Sequence, residues 1–131
     1  MGVVVGYVAT AEGEAALEVA VREARARDAL LVVILSERTS RFGAEALGVE
    51  RQAEDLRTRF EDEDIRADVR VTTRGRDVAD DIIDAAVATD ADLIVIGLRR
   101  RSPVGKLLLG SNAQRILLDA PCPVLAVKPA A

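Results

Sequence analysis

Two glycines and a serine bracket an arginine-rich connection in the stretch IGLRRRSPVGKLLLGSNAQR, residues 96–115. Gly97 ends an apolar run, and Gly110 and Ser111 stand where a new helical pattern begins. A glycine lets the backbone approach a ligand closely because no Cβ intervenes, and the free amides of a helix start bind anions. Positive charge nearby comes from three consecutive arginines, Arg99, Arg100 and Arg101. Together these residues predict a phosphate-binding site.

A purely structural interpretation fits the same residues, since glycines end strands, serines cap helices and arginine runs are usually solvated. A Walker phosphate loop is excluded. Arg100 stands where that loop requires its first glycine, and Leu107 replaces the Ser or Thr that should follow Lys106. No GxGxxG pattern occurs either, so the sequence gives no support for a dinucleotide site.

Composition excludes several other kinds of function. The chain has no histidine, which removes the commonest general base and argues against zinc or Ser-His chemistry. Its net charge of -4 argues against a nucleic-acid or membrane surface. The single cysteine, Cys122, fits a reducing cytoplasm and is interpreted as a small buried apolar residue. The acidic run EDED, residues 61–64, is interpreted as the solvated end of a helix, so no metal site is expected.

The elements that must position the loop alternate between strand and helix. Strands are predicted at residues 3–8, 29–36, 65–73, 92–97 and 124–128, and helices at 11–27, around 49–60, at 77–89 and from 111 to 120. Val87 and Leu117 are expected on the buried stripes of the third and fourth helices, and Ser111 is expected to cap the fourth.

This alternation predicts a single α/β domain over residues 1–131, with an open parallel five-stranded sheet and helices on both faces. The strand over residues 65–73 alternates apolar and polar residues and is predicted to lie at an edge. In such sheets ligands bind beyond the carboxyl ends of the strands, where the strand order reverses. If the order is 3-2-1-4-5, the reversal lies between the first and fourth strands, and the arginine-rich loop leaves the fourth.

The chain resembles the universal stress protein family over its full length, most closely from ADLIVIG through GKLLLGSNAQRILLDAPCPVLAVK. The resemblance implies the 3-2-1-4-5 order of the Rossmann-like, adenine nucleotide alpha hydrolase-like fold. It also implies a cytoplasmic stress-response regulatory or binding module that is not a dedicated enzyme. Many members bind ATP through the motif G-x2-G-x9-G-[S/T]; here Gly97 matches its first glycine, and Gly110 and Ser111 match its final pair.

The resemblance therefore implies an adenine nucleotide as ligand, ATP with Mg²⁺ foremost. The implied nucleotide-binding residues are Val8, Ala9, Gly97, Leu98, Arg99, Arg100, Arg101, Gly110, Ser111 and Asn112.

Two positions depart from the family pattern. Arg100 replaces the middle glycine of the motif, and Val8 stands where nucleotide-binding members usually carry an Asp against the nucleoside. Arg100 either pairs with phosphates or fills the cleft, and in the second case the chain is a nucleotide-independent interaction scaffold. A weak ATPase ranks last, because no general base is evident.

The apolar sequence of the last strand predicts that the chain forms a homodimer. PVLAVK is apolar and lies at a sheet edge in the proposed order, and such an edge invites pairing with another strand. Members of the resembled family form two-fold dimers through this strand. The expected homodimer interface consists of Val124, Leu125, Ala126 and Val127, paired antiparallel with their copies.

Overall fold

The computed structural model describes residues 1–36, 43–72, 77–98 and 110–129 of the chain. Strands and helices alternate through these ranges, as predicted. The elements are β1 (Gly2–Gly6), α1 (Ala11–Arg27), β2 (Leu30–Ser36), α2 (Gly43–Asp62), β3 (Ala67–Thr72), α3 (Val78–Ala88), β4 (Leu93–Gly97), α4 (Ser111–Asp119) and β5 (Val124–Val127).

The five strands form one sheet in the order β3-β2-β1-β4-β5, and all four neighbouring pairs are parallel. This order confirms the predicted fold class. It also places β3 and β5 at the two edges, as the alternating pattern of residues 65–73 indicated for β3. The central strands β1 and β4 are continuous apolar runs because helices cover both of their faces.

Two aliphatic cores lie on opposite faces of the sheet. One contains the buried stripes of α1 and α2, together with Tyr7 and Phe60. The other contains the buried residues of α3 and Ile116 of α4. The predicted stripe on α2 is confirmed, since Val49, Ala53, Leu56 and Phe60 are all buried. The acidic run that follows is exposed throughout, as expected for the solvated end of a helix.

Two residues predicted to be buried are exposed. Val87 on α3 has 64% of its surface accessible, and Leu117 on α4 has 43%. Each follows directly after a residue that faces the sheet, Ala86 and Ile116 respectively. A step of one residue turns a side chain by about 100° around a helix axis. These two side chains therefore lie beside the covered face rather than on it.

Three helices end in the same unusual way. Asp28, Asp64 and Asp90 adopt positive φ values of 50°, 55° and 50°, one after each of α1, α2 and α3. The amide of the following apolar residue then donates to a carbonyl of the last helical turn, for example from Ala29 to Ala24 at 2.9 Å. This pattern satisfies the last carbonyls of the helix and is usually built on glycine.

Candidate functional site

β1 and β4 stop pairing near their carboxyl ends, and we call the point where they diverge the crevice. Their pairing ends at Val5, opposite Val95. Beyond that point the Tyr7 amide donates to a carbonyl of β2 at 2.9 Å, and the Leu98 amide donates to a carbonyl of β5 at 2.8 Å. Each strand thus continues with its outer neighbour, so the gap lies at the carboxyl ends of β1 and β4. This is the point of reversal at which α/β sheets bind ligands.

The first turn of α1 packs against the end of β4 and against the connection that follows β1. A Cβ on Gly97 would lie 2.4 Å from the carbonyl oxygen of Glu12, and a Cβ on Gly13 would lie 1.8 Å from that of Val8. Both distances are shorter than a real Cβ contact. Gly97 is therefore required for the approach of α1 to β4, and its contact with a ligand stays a prediction.

The connection between β1 and α1 forms one rim of the crevice. β1 ends at Gly6, so Val8 and Ala9 lie in this connection rather than in the strand, and both are exposed. The hydroxyl of Thr10 caps α1 by accepting a hydrogen bond from the Gly13 amide at 3.2 Å. Val8 thus presents an apolar side chain, 40% exposed, on this rim.

The start of α4 differs from the prediction by one residue. Gly110 is the N-cap, with φ -71° and ψ 170°, and Ser111 is the first helical residue. The Gln114 amide closes the first turn on the Gly110 carbonyl at 3.0 Å. Ser111 therefore does not occupy the N-cap position, and Gly110, which does, has no side chain for a cap bond. The amides of Ser111 and Asn112 have no partner inside the helix, which suits them to an anion.

Several predicted residues fall outside the described ranges. They are Arg99, Arg100 and Arg101, with Lys106 and Leu107 further along the same connection. The pairing of these arginines with phosphate stays a prediction.

Sequence reasoning missed Tyr7 as a structural member of the site. Its side chain is 8% exposed, and its hydroxyl donates a hydrogen bond to the Glu14 carboxylate. Burial, followed by the bond to Glu14, raises the pKa of Tyr7 to about 12. Tyr7 thereby ties the first turn of α1 to the end of β1. The only signal in the sequence was an isolated tyrosine directly after an apolar strand.

The environment of Cys122 does not activate its thiol. Cys122 is half-buried and packs against the core of α3 and α4; burial, with a smaller effect of Asp92, raises the pKa of its thiol. A protonated thiol is a poor nucleophile.

Among the described residues, no group of three or more acidic or cysteine side chains could hold a metal ion. The described helices are all too short or too polar to cross a bilayer.

Comparisons with known proteins assign the chain to a family. It matches the model of the universal stress protein family over residues 1–128. A universal stress protein of Mycolicibacterium smegmatis is 41% identical over 127 residues, which cover 97% of each protein. This chain belongs to the universal stress protein family.

Solved structures of other universal stress proteins have the same fold. One from Archaeoglobus fulgidus has a TM-score of 0.81 against the present chain and is 32% identical to it, over 98% of each chain. A universal stress protein from the same organism, solved in complex with dAMP, has a TM-score of 0.75 and 28% identity, again over 98% of each chain. The family and the fold class predicted from the sequence are both confirmed.

Proposed function

We propose that this chain is a cytoplasmic stress-response regulatory module that binds an adenine nucleotide at the crevice between β1 and β4. The observation that carries the proposal is the start of α4, which follows β4 at the carboxyl ends of the strands and whose N-cap residue, Gly110, makes no side-chain cap bond. The phosphate lies on the amides of Ser111 and Asn112, where the helix dipole favours negative charge. The Archaeoglobus fulgidus relative in complex with dAMP supports a nucleotide as the ligand class.

The nucleoside extends from the phosphate toward the end of β1. Gly97 and Leu98 form the floor, and Val8 and Ala9 form the rim. Pairing of Arg99, Arg100 and Arg101 with the phosphates is an expectation from the sequence. A carboxylate is missing at Val8, and the loss of one hydrogen bond costs about 1 kcal/mol of binding free energy. Val8 thus weakens binding without preventing it.

A thermal melt with and without nucleotide tests the proposal. Mg-ATP, AMP and dAMP are added separately at millimolar concentration, and the midpoint of unfolding is followed by circular dichroism. A nucleotide at a hundredfold its dissociation constant adds about 2.7 kcal/mol to the free energy of unfolding, which raises the midpoint measurably. A midpoint that none of the three nucleotides moves contradicts the proposal and favours the nucleotide-independent scaffold.

Ser111→Pro tests the contact more directly. Proline is tolerated at the first position of a helix but has no amide to donate. We expect weaker nucleotide binding with little change in stability. Ser111→Ala is the matched control, because it removes the hydroxyl and keeps the amide. Equal loss in both variants would assign the contact to the hydroxyl instead.

Arg100→Gly separates the two roles considered for this arginine. If Arg100 fills the cleft, the variant gains affinity for ATP. If Arg100 pairs with phosphate, the variant loses affinity. Release of inorganic phosphate from ATP, measured on the same samples, tests the expectation that the chain is not an ATPase.

We further propose that two copies pair through β5, and the two edges of the sheet differ in a way that supports this. The Arg66 carbonyl bonds toward β2, so the Val69 carbonyl, three residues on, faces the free edge of β3. Arg57 of α2 donates to that carbonyl at 2.7 Å and covers the edge. On the opposite edge of the sheet, Leu125 and Ala126 of β5 are exposed.

A further inference from the structure

Within the described ranges, α4 makes few apolar contacts. Of its nine residues, Ile116 is the buried one, whereas α1 buries five. Ala113 and Ala120 contribute partly buried surface to the same core. Apolar burial stabilises in proportion to the area removed from water, so this helix is held weakly by its core face. Other contacts must help to fix where its first turn lies.

Arg115 supplies such a contact. Its guanidinium group makes a close ion pair with the Asp80 carboxylate on α3 and lies 4.0 Å from the carboxylate of Asp77. Both aspartates belong to the start of α3. Arg115 itself lies one helical turn after Ser111. The ion pair therefore joins the first turn of α3 to the part of α4 that directly follows the proposed phosphate site.

The local charge indicates how Arg115 acts. A third carboxylate, that of Asp119, lies 3.6 Å from its Nε atom. Three carboxylates lie within 4.0 Å of this one guanidinium group, so its positive charge is already engaged in ion pairs. It is therefore not free to attract a phosphate. Any contribution of the Arg115–Asp80 pair to nucleotide binding must therefore come from the position that it gives to α4.

We propose that Arg115, through Asp80, is a positioning residue for the anion-binding start of α4. This inference rests on the proposed function. The pair holds the amides of Ser111 and Asn112 at the distance from the crevice that a bound phosphate requires. Arg115 does not touch the nucleotide.

Four variants test the proposal by isothermal titration with AMP, well below the unfolding midpoint of each. Arg115→Met keeps the apolar stem and removes the ion pair, and Asp80→Asn removes the partner charge. The pair is partly exposed, so we expect each change to weaken binding about three- to fivefold. The double variant should bind no more weakly than either single one. Arg115→Lys should restore part of the affinity.

Asp119→Asn is the matched control. It removes a contact of the same guanidinium group, but that contact stays within α4 and does not reach α3. The dissociation constant should not change. Amide chemical shifts of Ser111 and Asn112 without nucleotide should move in Arg115→Met and stay in place in Asp119→Asn.

The sign of the Asp80→Asn effect distinguishes position from charge. Removal of a negative charge near the site should tighten phosphate binding if simple electrostatics dominates, and should weaken it if the pair positions α4. Tighter binding in Asp80→Asn, or unchanged binding in Arg115→Met, overturns this inference and leaves the proposed function intact. A wild-type chain that binds neither AMP, dAMP nor ATP overturns both.

Discussion

Tyr7 shows how one side chain can hold a crevice in shape without lining it. The residue is buried directly after the end of β1, and its hydroxyl is bonded to Glu14 on the first turn of α1. The same turn approaches Gly97 and Gly13 closely enough to exclude a Cβ at either. The geometry of the crevice therefore depends on three residues that sequence patterns alone would assign to packing or to ligand contact.

The raised pKa of Tyr7 predicts a pH dependence of stability. The pKa is about 12 in the folded chain and 10.0 in the unfolded one, so the folded state holds the proton more tightly. The resulting stabilisation is fully present below pH 10 and is lost as the pH rises from 10 through 12. Tyr7→Phe should flatten this part of the curve of unfolding free energy against pH. The unfolding free energies of the wild type and of Tyr7→Phe are measured by urea titration at a series of pH values. If they fall equally steeply between pH 10 and 12, the raised pKa of Tyr7 is contradicted.

Three glycines allow close packing to be compared with open space: Gly97, Gly13 and Gly48. Gly97→Ala and Gly13→Ala should each lower the free energy of unfolding by about 1–3 kcal/mol, because the new methyl group meets backbone. Gly48→Ala is the control. It lies in α2 with no atom within 4 Å of a new Cβ, so it should stabilise by about 0.5–1 kcal/mol. The measurement is urea unfolding without nucleotide. If Gly97→Ala is as stable as the wild type, Gly97 is not needed for packing, and ligand contact is the one role left for it.

The sequence located the ends of the strands and helices around the crevice, whereas the roles of individual residues there depend on packing. The turn at Gly110 and Ser111 was located to within one residue, which is the usual uncertainty of a helix boundary. The role of Gly97 was not predictable, because it depends on how closely α1 crosses β4. That distance results from tertiary packing and leaves no local pattern in the sequence.

The ends of α1, α2 and α3 use aspartate where glycine is the common choice. A left-handed conformation costs an ordinary residue about 1–2 kcal/mol, and a carboxylate near the carboxyl end of a helix opposes the helix dipole. We expect glycine at 28, 64 or 90 to stabilise the chain by about 0.5–1 kcal/mol each, with nearly additive effects. Asp55→Gly, in an exposed helix interior, should instead destabilise. Thermal melts of the four variants decide this.

Helical periodicity identified every buried residue of the predicted stripe on α2. On α3 and α4 it predicted one buried residue too many each, Val87 and Leu117. A stripe of apolar residues predicts a buried face when the layer beneath the helix is wide enough to cover it. α4 lies toward the β5 edge and buries Ile116 alone, so Leu117 and Leu118 stay exposed. The width of the neighbouring layer is a property of the whole sheet and cannot be read from the helix.

The two free edges of the sheet allow a matched test of the proposed dimer. The Pro123 and Val127 carbonyls bond toward β4, so the amide of Ala126 faces the free edge of β5. Ala126→Pro removes a donor from that edge and leaves the pairing with β4 intact. We expect it to convert the dimer to a monomer in analytical ultracentrifugation.

Ala67→Pro makes the same change at the free edge of β3, since the Arg66 carbonyl bonds toward β2. The dimer should persist in this variant. A wild-type chain that sediments as a monomer, or a dimer that survives Ala126→Pro and is lost in Ala67→Pro, would contradict pairing through β5.

The overall topology was the most predictable property of the molecule. Alternating strands and helices require parallel pairing, and β3 shows its edge position in its own polar alternation. The strand order rested on the family resemblance, because alternation alone allows more than one order.

The parallel direction of all five strands has a consequence for an assembly through β5. An antiparallel pair of β5 strands would join two sheets whose carboxyl ends face opposite ways. The two proposed binding crevices would then open on opposite sides of the assembly, too far apart for one bound molecule to touch the other. Titration of such an assembly should therefore follow a simple hyperbola with a Hill coefficient of about 1, as expected for uncoupled sites.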